Sequence, residues 1–295
     1  MAKSLWKCAK MINLNGHLLE EGAPEVSLLN RSFKYGDGLF ESLRVYEGRI
    51  LFMADHLNRL IRGMHILRME FEEETWRARM REELRRSVQA NAIHAHGRLR
   101  LHVYRGGSGA YLPVAHHPLF LIEAYNLKDD LYQAATPLRL TIYREAMIPD
   151  APWTGCKLAS ALPWVMASIY ARSNLYDDAL LLYRGKVSEI SSANVFAVQK
   201  RKLLTPPLSD ACLDGVMRRQ VIRIAQQLQL QVEEKSLTIN QLLKSDEVFV
   251  SNTIRGLQAV RQIEKQMWEP DRYTLTPFLR NALLQYACAE GKEDV

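Results

Sequence analysis

The second half of the sequence breaks into many short strand signals with few helical ones between them, and no other feature constrains the fold as tightly. Beyond Pro137 the pattern predicts strands over Leu138 to Tyr143, Ala179 to Tyr183, Asn194 to Gln199, Lys202 to Thr205, Gln231 to Glu234, Glu247 to Ser251 and Gln258 to Ile263. Helices are expected only near Leu162 to Ser173, from Val216 to Leu228 behind Asp214-Gly215, and from Thr276 to Cys288. Regular alternation of strand and helix would argue for a doubly wound parallel sheet. Runs of short strands argue instead for an α+β fold with a barrel-like second domain.

The first half reads as α+β. Met11 to Leu19 alternates around Asn15-Gly16, a two-residue hairpin signal, and Phe40 to Phe52 reads as a second hairpin turning at Glu47-Gly48. Met53 to Met69 and Glu72 to Ala92 carry helical periodicity, and Arg98 to Tyr104 and Leu119 to Tyr125 read as strands. The polar connection from Asn126 to Thr136 marks a junction. It divides the chain into a smaller N-terminal domain over 1–130 and a larger one over 131–295.

Composition excludes several classes. No apolar run approaches the roughly 20 residues that cross a bilayer, and Met1 to Lys10 lacks the apolar core of a signal peptide. These features suggest a cytoplasmic protein that does not enter membranes. Cys8, Cys156, Cys212 and Cys288 show no CxxC pair and no zinc-like spacing, so they read as free thiols and no metal is expected. The net charge of +6 is not concentrated in a basic run interleaved with aromatics. Arg77-Ala78-Arg79-Met80-Arg81 runs into Glu82-Glu83, as on a solvated helix face. Nucleic acid is therefore not the expected partner, and small anionic ligands account for the charge equally well.

Four windows carry candidate chemistry. Lys157 lies between Thr154-Gly155-Cys156 and the apolar stretch Leu158 to Ala167; desolvation there would lower its pKa and free the amine for attack on an aldehyde. Read plainly, it is a snorkelling lysine near a helix start. In Val187-Ser188-Glu189-Ile190-Ser191-Ser192-Ala193-Asn194-Val195-Phe196, Glu189 is either a carboxylate that receives a buried cation between two strands or a solvent-facing turn residue. Asp214-Gly215-Val216-Met217 opens a helix whose free N–H groups form a generic anion site. Tyr35-Gly36-Asp37-Gly38-Leu39-Phe40-Glu41-Ser42-Leu43-Arg44-Val45, followed by His56-Leu57-Asn58-Arg59-Leu60, permits close backbone approach and offers Arg59 as a phosphate clamp.

Taken together and in this order, the windows resemble the class IV, fold-type IV aminotransferases. The resemblance spans Asn15 to Val260 and rests on YGDGLFESLRVYEGRI with HLNRL, Lys157, SEISSANVF, LDGVMRRQVI and SNTIRGLQAV. It implies two α/β domains, the second barrel-like, with pyridoxal 5′-phosphate (PLP) at their interface and usually a homodimer. Lys157 matches the Schiff-base lysine, which also moves the proton between the substrate Cα and the cofactor. Glu189 matches the partner of the pyridine nitrogen. Arg59, the amides of Val216 and Met217, and Thr253 match the phosphate grip. Tyr35, Phe40 and Ser42 match the substrate pocket, with Arg44 and Arg100 in pocket-forming segments.

The implied reaction passes an amino group between an amino acid and a 2-oxo acid. The family also includes 4-amino-4-deoxychorismate lyases, which release pyruvate and 4-aminobenzoate, and that alternative stays open. Ser160 and Ala161 depart from the residues usual after the lysine, and Arg105-Gly106 lacks the downstream Arg and His of D-amino-acid enzymes. Ser42 stands where lyases carry a threonine. A PLP-binding protein without turnover is a further alternative, disfavoured because Lys157, Glu189 and Arg59 are all retained.

Overall fold

A computed structural model describes residues 11–20, 22, 27, 29–145 and 148–290. Cys8 and the Met1 to Lys10 stretch lie outside the described residues. The chain separates into two compact units that are not contiguous in sequence. Residues 1–131, 156–160 and 290–295 form the first, and residues 132–155 and 161–289 form the second.

The first unit is a six-stranded sheet backed by helices. Its elements are β1 (Met11–Leu14), β2 (His17–Glu20), α1 (Arg31–Tyr35), β3 (Gly38–Tyr46), β4 (Arg49–Ile50), α2 (Met53–Ile66), α3 (Glu73–Ala90), β5 (His96–Arg105) and β6 (Pro118–Asn126), in sheet order β2-β1-β6-β5-β3-β4. Both expected hairpins form. Asn15 and Gly16, at φ 55° and 96°, close β1 onto β2, and Glu47 and Gly48, at 49° and 74°, close β3 onto β4. Along β3 and β5 one parity is apolar: Leu39, Leu43, Val45, Leu99, Leu101 and Val103 bury against Leu57, Leu60, Met64, Met80 and Leu84 of α2 and α3. The other parity carries Phe40, Ser42, Arg98, Arg100 and His102, all half-buried.

The second unit contains β7 (Leu138–Ile142), α4 (Leu162–Ser173), β8 (Asp178–Tyr183), β9 (Lys186–Ile190), β10 (Ala193–Gln199), β11 (Lys202–Thr205), α5 (Val216–Gln227), β12 (Val232–Glu234), α6 (Ile239–Leu243), β13 (Glu247–Asn252), β14 (Gly256–Ile263), β15 (Gln266–Met267) and α7 (Leu275–Ala289). Its sheet closes on itself. β10 pairs β13, β13 pairs β14, β14 pairs β7, β7 pairs β8, β8 pairs β9, and β9 returns to β10. The expectation of a barrel rather than a doubly wound sheet therefore holds. Only β7–β8 and β14–β7 within this ring are parallel, and α4 is the crossover that β7–β8 pairing requires. Leu140, Leu180, Val195, Val248, Val250 and Val260 fill the core of this unit, and Phe196 stacks on its cross-strand partner Phe249 at 5.0 Å.

Candidate active site

Lys157 does not start a helix. Residues 156–160 run antiparallel to β3: the Phe40 amide donates to the Lys157 carbonyl and the Ala159 amide to the Gly38 carbonyl, each at 2.9 Å. Leu158 bridges Leu39 and packs against the helix-side core. The lysine Nζ lies 4.5 Å from the centroid of the Phe40 ring, on the sheet's polar parity. Arg100 Cζ stands 4.3 Å from the same centroid. Phe40 thus brings the Lys157 nitrogen and the Arg100 guanidinium to one aromatic ring.

The neighbours on this face are distinct in kind. Ser42 Oγ accepts from Arg98 Nη2 at 3.4 Å, and Arg100 Nε is 3.7 Å from a Glu123 carboxylate oxygen. Burial, with the Arg100 charge beside it, pushes the His102 imidazole down to about 4. Arg44 is buried and donates to the Asp129 carbonyl at 2.7 Å, so it secures the end of the first unit. Tyr35 closes α1, is exposed, and meets Tyr111 ring to ring at 5.7 Å.

Arg59, on α2, lies against the opposite, apolar side of β3. Its Nε donates to Glu41 Oε1 at 2.8 Å and its Nη2 to Glu41 Oε2, while His56 Nδ1 lies 2.7 Å from the same Oε2. Burial alone would raise the Glu41 carboxyl, but the Arg59 guanidinium and His56 outweigh it and hold it down to about 2. His56 is pushed below its usual value by burial, against the pull of Glu41. It therefore sits as a neutral imidazole beside the carboxylate.

In the second unit Glu189 is not a turn residue. It lies in β9, directly across from Asn194 of β10, and is 4% exposed. Trp164 Nε1 donates to its Oε1 at 2.8 Å and the Leu213 amide to its Oε2 at 3.0 Å. Two residues later Gly215 starts α5, where no side chain caps the first amides; Val216 and Met217 are buried there. Asp214 takes Arg219 bidentately instead, at 2.7 and 2.5 Å. Thr253 lies in the turn between β13 and β14, where its carbonyl accepts from Tyr132 Oη at 3.3 Å.

Glu41, His56, His102, Trp164 and Asn194 went unread in the sequence as site-shaping residues. For Glu41 a signal existed: it shares strand parity with Leu39, Leu43 and Val45, where a carboxylate needs partners. Arg105, at the parity of Leu99, Leu101 and Val103, carries the same signal. It is buried and bonds Asp37 at 3.0 Å and the Leu67 and Arg68 carbonyls at 2.5 and 3.2 Å.

A helix-backed sheet unit and a closed six-stranded barrel unit in one chain define the fold-type IV class of PLP enzymes. The family model for amino-transferase class IV matches residues 38–263, and the chain belongs to that family. It is 26% identical over 264 residues to a D-alanine aminotransferase of Bacillus licheniformis, covering 85% of this chain and 88% of that protein. The branched-chain aminotransferase of Thermoproteus uzoniensis superposes with a TM-score of 0.85 at 26% identity, covering 97% of both chains. A Legionella pneumophila protein assigned as a 4-amino-4-deoxychorismate lyase superposes at 0.79, with 25% identity over 90% of this chain and 96% of that one. The chain is thus a PLP-dependent enzyme of the aminotransferase class.

Proposed function

We propose that this enzyme passes an amino group between an amino acid and a 2-oxo acid, with Lys157 as the group that moves the proton. The observation that carries the reading is the Phe40 ring, with Lys157 Nζ at 4.5 Å and Arg100 Cζ at 4.3 Å. One aromatic wall holds an amine that can take up a proton and a guanidinium that can receive a substrate carboxylate.

In this reading Lys157, Arg59, Glu189, the amides of Val216 and Met217, and Thr253 hold the cofactor. Their chemistry fits PLP. An Arg guanidinium, an uncapped helix start and a hydroxyl suit a phosphate, and a buried, doubly oriented carboxylate suits a protonated pyridine nitrogen. When bound, PLP supplies an electron sink that acidifies the substrate Cα–H. Lys157 Nζ takes that proton. Glu189, steered by Trp164 and Leu213, holds positive charge at the pyridine nitrogen. Tyr35, Phe40, Ser42 and Arg100 line the substrate side, while Arg44 supports this lining from its bond to Asp129.

Single amino acids mixed with the yellow enzyme test the proposal. One equivalent of donor should bleach the near-visible band, and a 2-oxo acid should restore it. Multiple-turnover pyruvate release from aminodeoxychorismate, without oxo acid and with no bleaching by any amino acid, would replace this reading with the lyase.

The same reading includes a homodimer in the cytoplasm. Leu162, Val165, Met166 and Ile169 leave an apolar stripe exposed on one side of α4, at helical spacing, and a second copy would cover it. Cys156, Cys212 and Cys288 form no disulfide with one another, as this reading expects. Among the described residues no helix is long and apolar enough to cross a membrane. A monomer mass by light scattering at micromolar concentration would remove the dimer, and cell fractionation tests the compartment.

A further inference from the structure

Glu189 and Asn194 face each other across the β9–β10 hairpin, and both reach the same peptide segment. Glu189 Oε2 accepts from the Leu213 amide at 3.0 Å, and Asn194 Nδ2 donates to the Leu213 carbonyl at 2.9 Å. Asn194 is 4% exposed, as is Glu189. Leu213 is therefore held at its N–H and at its C=O by one cross-strand pair. Asn194 is itself fixed on both sides, opposite Glu189 in β9 and Ser251 in β13.

The segment so held leads straight into α5. Gly215, its N-cap, has no side chain, and a Cβ there would stand 2.0 Å from Asn194 Oδ1. No real contact is that short, so either the amide or the helix start would have to move. The amide of Asn194 thus has two faces: its nitrogen holds Leu213, and its oxygen lies where only a glycine lets α5 begin.

We infer that Asn194 is a positioning residue that couples the two ends of the cofactor grip, tying the Glu189 carboxylate to the amides that open α5 through the Leu213 peptide. The inference rests on the proposed roles of Glu189 and of the α5 start. Its physical content is that neither end can shift alone. The Leu213 carbonyl also accepts from the Gly215 amide at 2.8 Å, so residues 213–215 form one short turn, held by Glu189 at the Leu213 N–H and by Asn194 at its carbonyl, and that turn carries both ends.

The test separates the ends by ligand. Pyridoxal, which lacks the phosphate, reports the ring end through its near-visible band on the apo-protein. Inorganic phosphate, competing with PLP, reports the other end. Asn194→Ala should weaken both by roughly tenfold, whereas Thr253→Val should weaken only phosphate competition and Trp164→Phe only pyridoxal binding. Gly215→Ala should weaken both ends as well. The double variant Asn194→Ala/Gly215→Ala should bind better than Gly215→Ala alone, because the clash is gone, a non-additivity that general destabilisation does not produce.

Loss at one end only in Asn194→Ala, or strict additivity in the double variant, would overturn the coupling. If Thr253→Val and Trp164→Phe leave their own ligands unaffected, the proposed grip itself fails and takes the inference with it. Should Asn194→Ala not fold, Gly215→Ala and the comparison of ligands in that variant decide alone.

Discussion

Glu41 holds Arg59 in a two-point grip, Nε to Oε1 at 2.8 Å and Nη2 to Oε2, within the apolar layer between β3 and α2. The carboxylate also receives His56. This cluster makes the stability of the first unit depend on acid in a definite order. Glu41 falls from an ordinary 4.5 to about 2 on folding, so its contribution is complete above 4.5 and disappears as pH falls toward 2. His56 is also lowered, from 6.5, so the unfolded chain takes up its proton first and stability begins to fall below 6.5. Thermal melts from pH 7.5 to 3 should decline in these two stages, with Glu41 worth on the order of 3 kcal/mol. Glu41→Gln should remove the lower stage and, by stranding Arg59, cost about 3–5 kcal/mol at neutral pH. A melting profile unchanged in shape would refute this account.

Lys157 should be the point of attachment. Borohydride treatment of the PLP-loaded protein, followed by peptide mapping, should place the cofactor on the peptide containing Lys157. Lys157→Ala should still bind PLP through the phosphate grip yet lose nearly all turnover. Label on another lysine, or near-normal rates in the variant, would mean the role has been given to the wrong residue.

Glu189→Gln should retain fold and much of the cofactor but lose more than a hundredfold in turnover, the equivalent of about 3 kcal/mol of barrier. An amide can hydrogen-bond to the ring nitrogen but cannot hold positive charge there. Rates within about threefold of wild type would contradict the assignment.

Arg100 and Arg105, five residues apart on opposite parities of β5, should behave as opposites. Arg105→Ala leaves Asp37 with Arg31 as its partner and strips the Leu67 and Arg68 carbonyls of a donor, and should cost about 3 kcal/mol of stability or more. Arg100→Ala should leave the melting temperature nearly unchanged, raise KM, and let His102 rise from about 4, since a neighbouring positive charge is removed. NMR titration of the His102 ring reads the shift directly. A His102 that does not move, together with an unchanged KM, would exclude Arg100 from the substrate side.

Local signals carried most of the fold into the sequence. Asn15-Gly16 and Glu47-Gly48 fixed their hairpins because backbone conformation at two residues decides them. α4 runs from Leu162 to Ser173 as expected, with Pro163 in its first turn and Asn174 at its end. β9 was missed for the opposite reason. Ser188, Glu189, Ser191 and Ser192 look like a polar turn, and what makes Ser188 and Glu189 strand residues is burial against partners far along the chain, Trp164 and Leu213 among them. The one-turn α1 and the short α6 lie below the length at which periodicity can be seen. Within the site, the family resemblance supplied Lys157, Glu189 and Arg59, whereas the residues that orient them are legible only through tertiary contacts. Strand parity alone would have flagged Glu41 and Arg105.

Glu290 adds a matter of timing. Its carboxylate accepts from the amide of Phe52, which precedes α2, and its carbonyl accepts from Arg49. On the ribosome, the sheet and helices of this unit can assemble early, but residues 156–160, which run against β3, emerge later, and the Glu290 contacts form only after the residues of the second unit have been made. Nascent chains arrested before residue 290 should leave the start of α2 open to protease, and full-length chains should close it. The element that presents His56 and Arg59 would then be secured only in a chain translated through to that residue, so that synthesis cut short yields a protein left unlatched where its chemistry is mounted.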